Sequence, residues 1–264
     1  MQMTDISILG CGWLGLPLAR KLLENGYSVK GSTTSENKIE LLKNSGIEPY
    51  LISVSPDQID GNIKDFLSKI LIIDIPPKLK EGNFTKKIER LIPYIEQSAV
   101  ENVLFISSIS IYDNIGFVTE ETLPNPKTEN GRQLVESEKK LACNPNFKST
   151  IVRLGGLIGP ERHPAKHLAG KQNLTNPDAP INLIHLDDCI GIIEAIIGQN
   201  RWGETFNAVA PFHPKREDFY TEKANELGLQ PPMFDHSSES AGKLVCSEKI
   251  MATLGYVFSD KLGR

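Results

Sequence analysis

No apolar run in this sequence is long enough to cross a bilayer. The longest, residues 189–198, is interrupted by Glu194 and falls well short of the roughly 20 residues a membrane helix requires, so no membrane partner is expected. Cysteine is scarce. Cys11, Cys143, Cys189 and Cys246 stand far apart and form no CxxC pair, which argues against a disulfide framework or a zinc site. His167, His213 and His236 show no ligand spacing either, so no metal is expected. A basic tract is also missing, and the formal net charge is −4; nucleic acid is not an expected partner. There is no internal repeat and no low-complexity tract. The first strand pattern begins at Ile6, which leaves no room for a secretory signal and points to the cytoplasm.

What is present is an ordinary globular composition, 39% apolar and 23% charged over 264 residues. Such a chain buries roughly three quarters of its unfolded surface and needs no staples. Strand-like runs alternate with helical periodicity. Strands are expected at 5–9, 28–31, 49–54, 70–75, 103–106 and 150–154, and helices at 14–25, 36–44, 84–98 (despite Pro93) and 128–141. Alternation of this kind gives a parallel, doubly wound α/β sheet. The pattern loosens after Gly159, and further elements are expected at 187–197, 205–209 and 216–227.

Between the first strand and first helix the chain reads Gly10-Cys11-Gly12-Trp13-Leu14-Gly15. In a G-x-G-x-x-G at such a junction the first glycine makes a tight turn. The second lets backbone approach a pyrophosphate, and the third lets the helix lie close to the strand. The helix N-terminus then offers free N–H groups to the phosphates. The spacing thus predicts a Rossmann-type dinucleotide site.

The end of the second strand carries Ser32, Thr33 and Thr34, with Lys38 nearby. NAD-selective folds place an acid there for the ribose hydroxyls, and an acid would repel a 2′-phosphate. Hydroxyls and a lysine would donate to it instead, so the expected cofactor is NADP, with NAD as the alternative. A plain helix cap by these hydroxyls is compatible with either.

Further segments follow in order: Ile75-Pro76-Pro77, Ser107-Ser108-Ile109-Ser110-Ile111-Tyr112, residues 153–160 and Asn182-Leu183-Ile184-His185-Leu186-Asp187-Asp188. With the glycine turn, they make the chain resemble the extended short-chain dehydrogenase/reductases, the NAD-dependent epimerase/dehydratase group, and within it the YeeZ-like NAD(P)-binding proteins. The resemblance implies a Rossmann-type sheet with a small substrate-side subdomain. It implies that Ile75, Pro76 and Pro77 border the cofactor with Ser107, that Leu154, Gly155 and Leu157 pass the nicotinamide carboxamide, and that Ser108 takes the catalytic serine position.

That family's chemistry also uses Tyr-x-x-x-Lys on one helix, where the spacing places both side chains on one face. With Glu138 anchoring the register, this chain has Asn130 and Leu134 at those positions. Asn130 cannot titrate, so general acid-base help worth ~10²–10⁴ in rate has to come from elsewhere. Tyr112 is one candidate, with loop packing as its alternative role. His163 could donate a proton near neutral pH, and Arg162 could hold an anionic group; for both, the alternative is a solvated loop. His185 reads as a structural histidine and Cys11 as packing, although a helix N-terminus can lower a thiol pKa.

One extended domain is expected. Its Rossmann core comprises 1–159 and 181–205, with a substrate-side part at 160–180 and 206–264. Two functions remain open: an NAD(P)-dependent oxidoreductase or epimerase-like enzyme acting on a small, anionic substrate, or a non-catalytic NADP-binding sensor or scaffold.

Overall fold

The computed structural model describes residues 5–77, 83–114, 116–237 and 239–262. The chain begins β1 (Asp5–Leu9), α1 (Gly15–Glu24), β2 (Ser28–Thr33), a 3-10 turn (Glu36–Lys38), α2 (Ile39–Asn44) and β3 (Glu48–Leu51). It continues with β4 (Ser53–Val54), β5 (Ile59–Asp60), α3 (Ile63–Phe66), β6 (Ile70–Ile73), α4 (Phe84–Glu96) and β7 (Asn102–Ser108). Next come a 3-10 turn (Ile109–Ile111), β8 (Gly116–Val118), α5 (Glu129–Ala142), β9 (Lys148–Leu154), β10 (Gly156–Ile158) and α6 (Pro164–Leu168). Last are β11 (Leu183–His185), α7 (Leu186–Gly198), β12 (Thr205–Ala208), α8 (Arg216–Glu226), β13 (Lys243–Val245) and α9 (Glu248–Leu254).

Seven strands form the main sheet in the order β12-β9-β7-β6-β1-β2-β3. The pairs β1–β2, β1–β6, β2–β3 and β6–β7 are all parallel. Successive strands run outward on both sides of β1, so the order reverses between β1 and β6. In open α/β sheets such a switch point leaves a crevice at the carboxyl ends of the strands. All four residues of β6 are buried, as the continuous apolar run from Ile70 requires of a strand covered on both faces. Leu18, Ala19 and Leu22 form the buried stripe of α1, and Phe84, Ile88, Leu91 and Ile95 that of α4. Each such side chain is worth roughly 1.5–3 kcal/mol on burial. The stripe therefore outweighs the cost of Pro93 inside α4.

Several expectations are corrected. The strand expected over 49–54 ends at Leu51, and Ser53–Val54 pairs antiparallel with Ile59–Asp60 instead. The helix expected over 36–44 opens with a 3-10 turn. The strand expected at 103–106 runs on through Ser108. Contacts cluster into two compact units. Unit 1 comprises Met1–Ile111, Pro126–Arg153 and Ile193–Phe206; unit 2 comprises Tyr112–Asn125, Leu154–Ile192 and Asn207–Arg264.

Candidate functional site

In unit 1 the glycine turn follows β1. Gly10 adopts φ +110°, and a Cβ there would stand 2.5 Å from the Asp74 carbonyl oxygen, so only glycine fits. At Gly15 a Cβ would collide with the Gly10 carbonyl oxygen, whereas at Gly12 it would meet nothing within 4 Å. Gly12 is therefore the glycine that opens onto free space. The turn is pinned by Ser32, whose hydroxyl accepts from the Gly10 N–H at 2.9 Å. Cys11 N–H donates to the Ser32 carbonyl at 2.8 Å. Thr33 Oγ1 accepts from Ser35 N–H at 3.1 Å and shapes the bend after β2.

All of these except Gly15 line an open cavity of about 520 Å³. Gly10, Cys11, Gly12, Ser32, Thr33, Thr34, Lys38, Ile75 and Pro76 are on its wall. Ser35, Asp74, Lys87 and the segment Ile52–Ser55 are there too, and were not expected. The signal for Asp74 was its place as the lone acid closing the apolar run from Ile70. Trp13, Leu14, Pro77 and Ser107 are not on this wall. Leu14 is buried, and Ser107 donates to the Glu138 carboxylate at 2.5 Å. Glu138 in turn receives Arg153 bidentately, with Nη2–Oε2 at 2.7 Å. Burial pushes the Cys11 thiol up to about 12, with Asp74 adding to the effect. Cys11 is therefore a neutral packing group and no nucleophile.

Ser108 ends β7, and its hydroxyl accepts from Ser110 N–H at 3.1 Å. Against this turn lies the start of α5: a Cβ on Gly131 would stand 2.9 Å from the Ser110 carbonyl oxygen. Asn130 precedes that glycine. Its Oδ1 is buried and, among the described residues, has no hydrogen-bond partner. Leu134, one turn on, is buried. The structure thus packs the turn after Ser108 against the start of α5.

Unit 2 holds the other expected groups. Tyr112 is buried, and its phenol donates to Asn207 Oδ1 at 2.9 Å. Arg162 is exposed, and its backbone pairs with Gly159 at 2.9 and 3.0 Å. His163 Nδ1 accepts from Ala165 N–H at 3.2 Å and caps α6. Its ring stacks on Phe219, with centroids 6.3 Å apart and planes 7° apart. Burial, with Lys223 and Lys166 nearby, holds its pKa below the ordinary histidine value, so the ring is neutral at pH 7. Leu154 is buried, Gly155 N–H donates to the Ala208 carbonyl at 2.9 Å, and Leu157 is half-buried in β10. His185 Nδ1 accepts from Asp187 N–H at 3.1 Å, the structural role expected. Asp188, which sequence reasoning left unassigned, is fully buried and accepts from Tyr256 Oη and from Ser259 N–H and Oγ at 2.8–3.0 Å.

No protein-family model matches the chain. Among solved structures, a UDP-glucuronic acid 4-epimerase from Bacillus cereus, in complex with NAD, superposes with TM-score 0.81 at 18% identity, covering 98% of this chain and 92% of that one. A functionally unknown conserved protein from Silicibacter pomeroyi superposes with TM-score 0.79 at 22% identity, covering 97% and 94%. These likenesses establish the Rossmann-type fold. Protein YeeZ of Escherichia coli is 36% identical over 266 aligned positions, 97% of this chain and 96% of that protein. With that identity along nearly the whole of both proteins, the chain belongs to the YeeZ family.

Proposed function

We propose that the chain binds NADP in the cavity at the β1–β6 switch point. We propose further that it works as an oxidoreductase or epimerase-like enzyme on a small anionic molecule, in the cytoplasm. The observation that carries the cofactor assignment is the opening of Gly12 onto that cavity. The residues fit a dinucleotide. The glycine turn and the start of α1 would face the pyrophosphate. Thr34, Ser35 and Lys38 line the end where the adenosine 2′-phosphate would lie, and charged hydrogen bonds there are worth about 1.5–3 kcal/mol each. The likeness to an epimerase solved with NAD supports a nicotinamide dinucleotide in general; the hydroxyls after β2 favour the phosphorylated form.

A bound nicotinamide supplies hydride transfer. Ser108 then polarises the substrate oxygen. Asn130 offers an amide that orients but does not titrate, and Leu134 makes the adjoining wall apolar. Ile75 and Pro76 border the cofactor. The exposed guanidinium of Arg162 supports an anionic substrate. The proton passes through a group other than residue 130.

Asn130 and Leu134 also favour a second reading, a sensor that binds NADP without turnover. Calorimetric titration tests the cofactor: tighter binding of NADP than of NAD is expected, and equal affinity or a preference for NAD overturns it. NADPH oxidation in the presence of a metabolite pool supports the enzyme, and tight binding with no turnover supports the sensor.

A further inference from the structure

Helix α1 has an unusual start. Leu14 occupies its N-cap without a side-chain hydrogen bond, and its first turn holds no acid. The acceptor comes from another element. Asp74, immediately after β6, takes the Gly15 N–H, and its Oδ2 lies 3.1 Å from where a Gly15 Cβ would stand. The same carboxyl is on the cavity wall with Gly10 and Gly12. A carboxylate therefore stands where the glycine turn would receive two phosphates. Ionised, it would compete for the helix N-terminus and repel the pyrophosphate. Protonated, it can keep Gly15 N–H on one oxygen and donate from the other.

We propose that Asp74 is a ligand of the dinucleotide pyrophosphate that works in its protonated form, so that binding takes up one proton. This rests on the dinucleotide reading above and deepens it. The Asp74 hydroxyl donates to a pyrophosphate oxygen and the proton comes from solvent. Burial already pushes this carboxyl up to about 7 in the free protein, with the Gly15 N–H pulling the other way. Among the described residues, the other titratable groups on the cavity wall are Cys11, Lys38 and Lys87. The Cys11 thiol stays neutral throughout. Lys38 and Lys87 are the basic side chains of this wall. Asp74 is thus the group that changes charge in this window. Ionisation above pH 7 removes the binding form, so affinity falls as pH rises. With a free-state value near 7, the loss between pH 6 and pH 8 is about tenfold.

The test is NADPH binding to wild type and Asp74→Asn by calorimetry at pH 6 and pH 8. Asparagine keeps an acceptor for Gly15 and removes the titration, while the 2′-phosphate titrates alike in both proteins. Wild type is expected to weaken about tenfold relative to the variant over this interval. Wild type alone, at pH 8 in buffers of different ionisation enthalpy, should take up about one proton per NADPH. That readout needs no folded variant. A constant affinity ratio, or binding at pH 8 without proton uptake, overturns the role of Asp74 and leaves the cofactor assignment standing. Absence of binding by NADPH and NADH at pH 6 in wild type overturns the cofactor assignment, and the proton with it.

Discussion

At Gly12 a Cβ would point into open space, whereas at Gly15 it would collide with the Gly10 carbonyl oxygen. The two positions therefore separate binding from folding. Gly12→Val puts its Cβ where nothing in the protein stands within 4 Å and its methyl groups on the side from which a pyrophosphate would approach. It should leave stability within about 0.5 kcal/mol and weaken dinucleotide binding by roughly 10²-fold or more, about 3 kcal/mol. Gly15→Ala forces α1 away from the turn and should cost about 1–3 kcal/mol. Urea denaturation and calorimetry read the two effects, and unchanged NADPH affinity in Gly12→Val would place the ligand elsewhere. Both glycines were legible in the sequence because their spacing encodes backbone approach. Asp74 was not, because its importance depends on Gly15, far away in sequence. Likewise Ser32 pins Gly10 as well as facing the cavity, a contact that no local pattern announces.

At the scale of the element, α5 carries the altered positions on a helix held by a buried ion pair. Glu138 and Arg153 are 7% and 9% exposed in their side chains, and Ser107 adds a third contact to the same carboxylate. Glu138→Gln would leave the Arg153 guanidinium without its counter-charge and turn an amide N–H₂ toward it. Breaking one partner of a buried pair costs about 3–5 kcal/mol, so the urea midpoint should drop sharply; a change of less than about 1 kcal/mol would show that the pair is not a structural tie of α5. The sequence exposes helices such as α1, α4 and α5 because their apolar stripes repeat at helical spacing. It hides β4 and β5, whose two-residue strands are too short to show alternation. It also hides α6, α9 and β13, short pieces whose place is set by tertiary contacts. The site was read in the same uneven way: the phosphate turn is local, while the surroundings of Asn130 depend on how α5 meets the turn at Ser110.

At the scale of the whole molecule, neither compact unit is continuous in the chain. It passes between them after Ile111, Asn125, Arg153, Ile192 and Phe206. Helix α7 is divided by this boundary, and so is β12, which closes the sheet order beside β9. A unit assembled from separated segments has no cut point that releases it intact. Both should therefore unfold in one cooperative step, as small domains generally do. The tryptophans provide an internal reporter. Trp13 and Trp202 are the two in the sequence, and both belong to unit 1. Selectively excited tryptophan fluorescence thus follows unit 1, while far-ultraviolet circular dichroism follows the helices of both. In urea the two signals should give coincident midpoints, and the slope should correspond to unfolding of the full chain. Asp188→Asn extends the test: it perturbs a buried acceptor of Tyr256 and Ser259 wholly within unit 2. If the units are coupled, the fluorescence midpoint of unit 1 should fall together with the dichroism midpoint. A fluorescence transition that stays in place while the dichroism splits into two steps would show that the units fold independently.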